Sequence, residues 1–296
     1  MAFDKSRLVN LDQCVLDALS LFERQQPPQL AFPAFRRPLV VGSGNAAVTG
    51  KMLFEGSDAV FADESTYQKK LAAVPGIDGC VLISASGGKH APAIAKEVRS
   101  RGLQVILLTN NPGAPAGVFA SQTRVFPKNP EPYTYNTSTY LGMILAKTRE
   151  SPAAIRKFLL GLKFPANLGK YDSVFMIVPE EFEPAREMFL TKFDELFGSK
   201  VSGRAFTPEQ AKHAKTVVQS DTELFIGLGV KSAQFGKKGL DIPLPKGASY
   251  ATLIAAGYFA IGKIQSQHPP YFKDSIEEYA KRASHSFGQE IKPIAD

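Results

Sequence analysis

The sequence predicts an α/β protein, with mostly parallel sheets covered by helices on both faces and arranged in two successive units. Three observations predict it. From Pro38 onward short apolar runs alternate with helical patterns, and such alternation closes into a parallel sheet. The same rhythm restarts near residue 170 after two long helical segments, which divides the chain into 1–160 and 161–296. At 296 residues, with 44% hydrophobic and 21% charged residues, the chain is of ordinary globular composition and long enough for one large domain or two.

Leu8, Leu11, Val15, Leu19 and Phe22 recur at helical spacing, so an amphipathic helix opens the chain. The proline-rich "QQPPQLAFPAFRRP" breaks it. "LVVG" then reads as a strand before a helix that starts at about Asn45. "DAVFAD", "GCVLIS", "LQVILLT" and "TRVF" follow as strands, with helical segments between most of them. "NTSTYLGMILAKTRE" and "SPAAIRKFLLGL" are helices that close the first half. In the second, "YDSVFMIVP", "SKVSGRAF", "TELFIGLG" and "GLDIPLP" carry the strand rhythm. "FEPAREMFLTKFDELFG", "SYATLIAAGYFAIGKIQS" and "YFKDSIEEYAKRASHSFG" carry the helices. No low-complexity tract or short-period repeat interrupts the pattern.

Charge and cysteine usage narrow the partners. Lys and Arg total 35 against 28 Asp and Glu, a net charge of +7 that suits an anionic ligand such as a phosphate ester. The basic residues are scattered, with no arginine-rich arm or aromatic RNA signature, so nucleic acid is not expected. Asp4, Lys5 and Arg7 have no apolar run behind them, and no secretory signal is expected. The longest apolar stretch, "ATLIAAGYFAIG", falls short of the roughly 20 residues that span a bilayer and reads as a core helix. Cys14 and Cys80 are far apart and lack metal spacing, which argues against a disulfide framework. A cytoplasmic protein without metal or membrane partner is the expectation.

Two turns carry chemistry. "VVGSGNAA" places Gly42, Gly44 and Ala47 in a G-x-G-x-x-A pattern after a strand and at the opening of a helix. The acid pair Asp63-Glu64 follows the next strand at about the distance of a ribose-binding acid. That pattern fits a dinucleotide. It also fits any phosphate, because glycines let the ligand approach backbone N–H groups at a helix N-terminus. A glycine turn needed only for tight strand–helix packing is a third reading. The second turn, "SASGGKH", puts Ser84 and Ser86 at the carboxyl end of another strand, before a helix that starts near His90. Hydroxyls and free amides there can surround a phosphate, aided by the helix dipole. A dinucleotide fold has no need of this second loop, whereas a sugar phosphate bound across two strand ends does.

Here the sequence resembles a known family. "VVGSGNAA", "FADESTY", "LISASGGKHAPAIAKEVRSRGLQVILLTNNPGAPA" and "YTYNTSTYLGMI" are together similar to a sugar isomerase (SIS) domain. The resemblance implies that Ser84 and Ser86 hold the phosphate of a phosphosugar or phosphorylated amino sugar. With them would stand Gly87, Gly88 and Lys89, the last where the family usually has threonine. Gly42, Ser43, Gly44 and Asn45 would face the substrate, and Glu64 falls on a common strand-end glutamate. In the second half "KFDEL" and "TPEQAKHAK" resemble segments of two-SIS enzymes. Archaeal-type phosphoglucose/phosphomannose isomerases and the isomerase domain of glucosamine-6-phosphate synthase have a similar arrangement.

The resemblance implies two tandem SIS domains and aldose–ketose isomerisation. Glu195 would be the base that moves a proton between C1 and C2, and His213 would assist ring opening. No cofactor would be required, and a homodimer is expected. One departure is that Glu131 or Tyr133 lies where some of these isomerases have an arginine. The C-terminal lysine that caps some family sites would be Lys273 or Lys281. The same scaffold also serves fructosamine-phosphate deglycases and non-catalytic sugar-phosphate sensors, and both remain as alternatives.

Overall fold

The computed structural model describes residues 4–295. Helix α1 (Leu11–Arg24) buries Leu11, Cys14, Val15, Ala18, Leu19 and Phe22, the stripe expected from their spacing. There follow β1 (Pro38–Val41), α2 (Asn45–Leu53), β2 (Val60–Ala62), α3 (Tyr67–Ala73), β3 (Gly79–Ile83), α4 (Ala91–Ser100), β4 (Val105–Thr109) and β5 (Gln122–Val125). A two-residue strand β6 (Glu131–Pro132) leads into α5 (Thr137–Thr148) and α6 (Pro152–Leu160). The later part comprises β7 (Ser173–Ile177), α7 (Arg186–Phe197), β8 (Ser202–Phe206), α8 (Pro208–Lys212) and β9 (Glu223–Leu228). It ends with β10 (Gly239–Ile242), α9 (Tyr250–Gln265), α10 (Tyr271–Phe287) and β11 (Ile294–Ala295).

These elements form two compact units. Arg24–Lys128 and Ser138–Arg149 make one; residues up to Glu23, Asn129–Thr137 and Glu150 onward make the other. Helix α1 thus belongs with the later strands.

The first unit is a five-stranded parallel sheet in the order β2-β1-β3-β4-β5. Every residue of β1, β3 and β4 is buried, as expected of central strands flanked by helices. Because side chains alternate along a strand, Leu39, Val41, Cys80, Leu82, Val105 and Leu107 share one face. They pack with Ile94, Ala95 and Val98 of α4. Strand β5, at the edge, buries none of its residues fully.

The second unit is a four-stranded parallel sheet in the order β10-β9-β7-β8. Phe175 of β7 stacks on Phe225 of β9 at 5.1 Å between ring centres. Helix α9 is buried on nearly every side, which explains why its sequence is apolar without a polar face. At Gly257 an added Cβ would lie 2.2 Å from the Phe189 ring, so glycine lets α7 and α9 approach. The carboxylate of Glu150 accepts the backbone N–H groups of Ser249, Ala251 and Thr252 and so closes the start of α9. Strand β11 pairs antiparallel with β6, the strand before the Tyr133–Asn136 segment. Among the described residues no helix is long and apolar enough to cross a membrane.

Candidate functional site

The two turns singled out in the sequence leave the carboxyl ends of β1 and β3, which are neighbours in the five-stranded sheet. The chain runs outward from β1 to β2 on one side and from β3 to β4 and β5 on the other. Strand order therefore reverses between β1 and β3, the place where open α/β sheets form a ligand crevice.

The first turn is shaped by its glycines. A Cβ on Gly42 would meet the backbone of Ala46 and Ala47 at 2.7 and 2.8 Å, and Gly44 has a φ of +53° before α2 begins. Gly42→Ala should therefore cost about 1–3 kcal/mol of stability by overpacking. Urea unfolding checks this, and an unchanged midpoint would show that the turn tolerates a side chain. Asn45 is buried, and its Oδ1 has no hydrogen-bond partner among the described residues, so it is an acceptor waiting for a donor. Ser43 Oγ donates to the Glu64 carboxylate. Asp63 is occupied differently: Oδ1 accepts from the amides and hydroxyls of both Ser65 and Thr66, which hold its pKa below the usual value and fix the approach to α3. One oxygen of each acid, Oδ1 of Asp63 and Oε2 of Glu64, is thus engaged within the unit itself.

The second turn, Ser84–His90, has its acceptors used up. The Ala85 carbonyl accepts from Asn110 N–H and Thr109 Oγ1, the Ser86 carbonyl from Asn111 Nδ2, and the Gly87 carbonyl from Ala116 N–H. Ser84 Oγ accepts the amide of Gly87 at 3.2 Å, and Ser86 Oγ accepts that of Gly88 at 3.3 Å. Each hydroxyl that accepts an amide keeps its own O–H to donate. A loop whose carbonyls are tied down and whose hydroxyls remain donors is chemically suited to an anion. Gly87, at φ +63°, has Ala114 Cβ only 2.4 Å from where its own Cβ would be. Lys89 adopts φ +51°, unusual for a lysine, and is exposed at the start of α4.

Glu195 lies in the other unit, on α7, where it lines a cavity of about 670 Å³. Its Oε2 accepts from Lys192 Nζ at 2.6 Å, one helical turn back; the Lys192 side chain is 0% exposed and that of Glu195 22%. The ammonium also donates to the carbonyls of Thr134 and Tyr135, at 3.2 and 3.0 Å, and lies 5.6 Å from the ring centres of Tyr135 and Tyr258. Thr134 stands at φ +82° and Asn136 at +46°. For a β-branched residue such a φ is strained, and here it accompanies a carbonyl turned onto a buried cation. Burial raises the Glu195 pKa above the ordinary 4.5, and the pull of Lys192 offsets this only in part. The result is a carboxylate with heightened proton affinity on a cavity wall.

The remaining sequence candidates fall as follows. His213 caps the C-terminal end of α8, is exposed, and is not part of the wall around Glu195. Glu131 is buried and accepts Thr137 N–H at 2.6 Å, closing the start of α5. Tyr133 lies 6.2 Å from the Tyr279 ring, and its hydroxyl pKa is raised by burial and then by Glu195. Lys273 and Lys281 are both on α10, and neither lines the cavity. Among the described residues no group of three or more His, Cys, Asp or Glu is arranged to hold a metal ion.

Lys192 is the residue that sequence reasoning missed. Its signal was present: Met188, Phe189, Lys192, Phe193, Leu196 and Phe197 form the buried stripe of α7, and a lysine occupies the stripe's middle.

No protein-family model matches the sequence, and neither does any curated protein. Solved structures do. The C-terminal domain of glucosamine-fructose-6-phosphate aminotransferase from Francisella tularensis aligns at a TM-score of 0.62 and 12% identity, over 92% of this chain and 98% of that one. Glucosamine-6-phosphate deaminase from Thermotoga maritima aligns at 0.61 and 15% identity, over 88% and 94%. Tagatose-6-phosphate ketose/aldose isomerase from Escherichia coli aligns at 0.61 and 12% identity, over 88% and 91%. At these identities the likeness is one of fold, and it extends over most of the chain.

Proposed function

We propose that the protein binds a phosphorylated sugar or amino sugar and interconverts its aldose and ketose forms by proton transfer, with Glu195 as the base. The observation that carries this reading is the Glu195–Lys192 pair, a carboxylate of raised pKa on a cavity wall, held from behind by a fully buried cation. In the open-chain aldose Glu195 takes the proton from C2, leaving an enediol(ate), and returns it to C1, while the hydroxyl proton passes from O2 to O1, to give the ketose. Lys192 is too deeply buried to reach substrate; it positions the carboxylate and sets its proton affinity. His213, exposed just after α8, would assist opening of the sugar ring. No cofactor is needed for these steps, since hydrogen-bond donors can stabilise the enediolate.

The donor-rich turn Ser84–Lys89 is the proposed phosphate site, with Gly42–Asn45 beside it facing the sugar. The two α/β units are proposed as tandem sugar isomerase domains, and the working form as a cytoplasmic homodimer. The fold neighbours support the assignment, since their names place them on hexose and hexosamine 6-phosphates. Replacing Ser84 and Ser86 together by alanine should weaken binding of glucose 6-phosphate or its relatives by about 1–3 kcal/mol, the worth of hydrogen bonds to a charged group. Calorimetric titration measures this. Equal binding of glucose and glucose 6-phosphate by the wild type would remove the phosphate site from the proposal.

A further inference from the structure

Threonine is a costly residue for position 134. It stands at φ +82°, a left-handed conformation that β-branched side chains strongly disfavour. Two positions on, the chain takes φ +46° with Asn136, a residue type that tolerates it. Glycine or asparagine would make the turn at Thr134 with less strain. The carbonyl that this turn aims at Lys192 Nζ does not explain the side chain, because every residue type has a carbonyl. What threonine adds is a hydroxyl on a stiff χ1. Thr134 lines the cavity beside Glu195, and its Oγ1 is buried without a hydrogen bond of good geometry. A hydroxyl so placed has lost its water without gaining a partner, and such a group calls for an explanation.

The neighbour that explains it is Glu195. Burial dominates the Glu195 pKa and raises it, Lys192 opposes this, and the Thr134 hydroxyl pulls in the same direction as Lys192. Among the described residues Lys192 is the one donor with a full hydrogen bond to the carboxylate, and it holds Oε2 alone. A carboxylate anchored through one oxygen still turns about its Cγ–Cδ bond, because such torsions are broad. A base that must meet one particular proton works faster when that rotation is stopped. We infer that Thr134 is a positioning residue for the base: its hydroxyl donates to the Glu195 carboxylate and, with Lys192, fixes the plane in which the remaining lone pair faces the cavity. This rests on Glu195 being the base. The strained backbone then has a use, since one residue supplies a carbonyl to Lys192 and a hydroxyl to Glu195.

Nuclear magnetic resonance of protein carrying isotope-labelled glutamate carboxyls follows the titration of Glu195 without any substrate. Thr134→Val removes the hydroxyl and keeps the shape, so Glu195 should titrate at higher pH than in the wild type. Thr134→Ser keeps a hydroxyl and should titrate as the wild type does. Thr134→Gly takes a positive φ without strain and lacks the hydroxyl; it should match the valine variant and serves if that one does not fold. The other charged and titrating groups around the carboxylate stay the same in every variant: Lys192, Asp194 and Lys200 on α7 and just after it, Tyr133 and Tyr135 before α5, and Asp274 and Arg282 on α10. With the 6-phosphates of glucose, mannose, glucosamine and fructose as probes, kcat should fall roughly tenfold in Thr134→Val with KM little changed, and Thr134→Ser should recover it. A titration unmoved in the valine and glycine variants, or moved as far in the serine one, would overturn the inference and leave the phosphosugar reading standing. So would a moved titration with an unchanged kcat. A wild type that turns over none of the four probes would sink the reading of Glu195 as the base, and the inference with it.

Discussion

Glu195→Gln should lower turnover of a phosphosugar by about 10²–10⁴ while leaving its binding close to that of the wild type. The amide has nearly the shape of the carboxylate, so the cavity wall keeps its form. Its oxygen can still accept from Lys192, and the salt bridge becomes a hydrogen bond to a neutral partner. What disappears is the lone pair of an anion able to take the C2 proton. Exchange of the C2 hydrogen with deuterated solvent should fall in step with turnover, since both need that transfer. Nuclear magnetic resonance of the sugar reports exchange and product together. A wild-type protein that binds phosphosugars but never exchanges the C2 hydrogen would make Glu195 a ligand contact or a structural residue. The protein would then be a sensor, or a lyase acting elsewhere on the molecule.

The parts of this structure that were legible in the sequence are those set by local rules. Strands β1, β3 and β4 were visible as apolar runs because a buried parallel strand has no polar face to hide them. The turns after β1 and β3 were visible because glycine and serine have few uses at a strand–helix junction other than tight geometry and hydrogen bonding. What escaped was set by distant residues. The site around Glu195 depends on carbonyls 57 and 58 positions away from Lys192, and on a backbone conformation at Thr134 that no propensity favours. Helix α1 was visible as a helix, but its attachment to the later unit runs through Gln265, which accepts the N–H of Leu11 254 positions away. Asp63 shows the converse error. Its position suited a ribose, yet the neighbouring Ser65 and Thr66 had already fixed it as the carboxylate that closes the turn before α3.

Lys192→Met should move the pH dependence of the reaction and weaken the fold, and the two effects share one cause. The wild-type Glu195 pKa already lies above 4.5 because burial outweighs the attraction of the ammonium. A general base acts ionised, so kcat/KM falls as pH drops through that raised value. Methionine removes the attraction and keeps the burial, so the acid limb should shift to higher pH still. Stability follows the same linkage. A carboxyl whose folded pKa is raised holds its proton more tightly when folded; its contribution favours folding below the unfolded value and is lost as pH rises through the folded one.

Lys192→Met should therefore be closer to wild type in acid than at neutral pH. The carbonyls of Thr134 and Tyr135, deprived of their shared donor, should add a cost of about 1–3 kcal/mol at every pH. The double variant Lys192→Met/Glu195→Gln has no titrating group in the pair, so it should retain the second cost and lose the first. Urea unfolding of the three variants on both sides of the acid limb separates the terms, because the residues are in contact and their effects should not add. A single variant with an unmoved limb and a pH-independent loss would show that Lys192 only fills and ties the core, and that the proton affinity of Glu195 is set by the cavity alone.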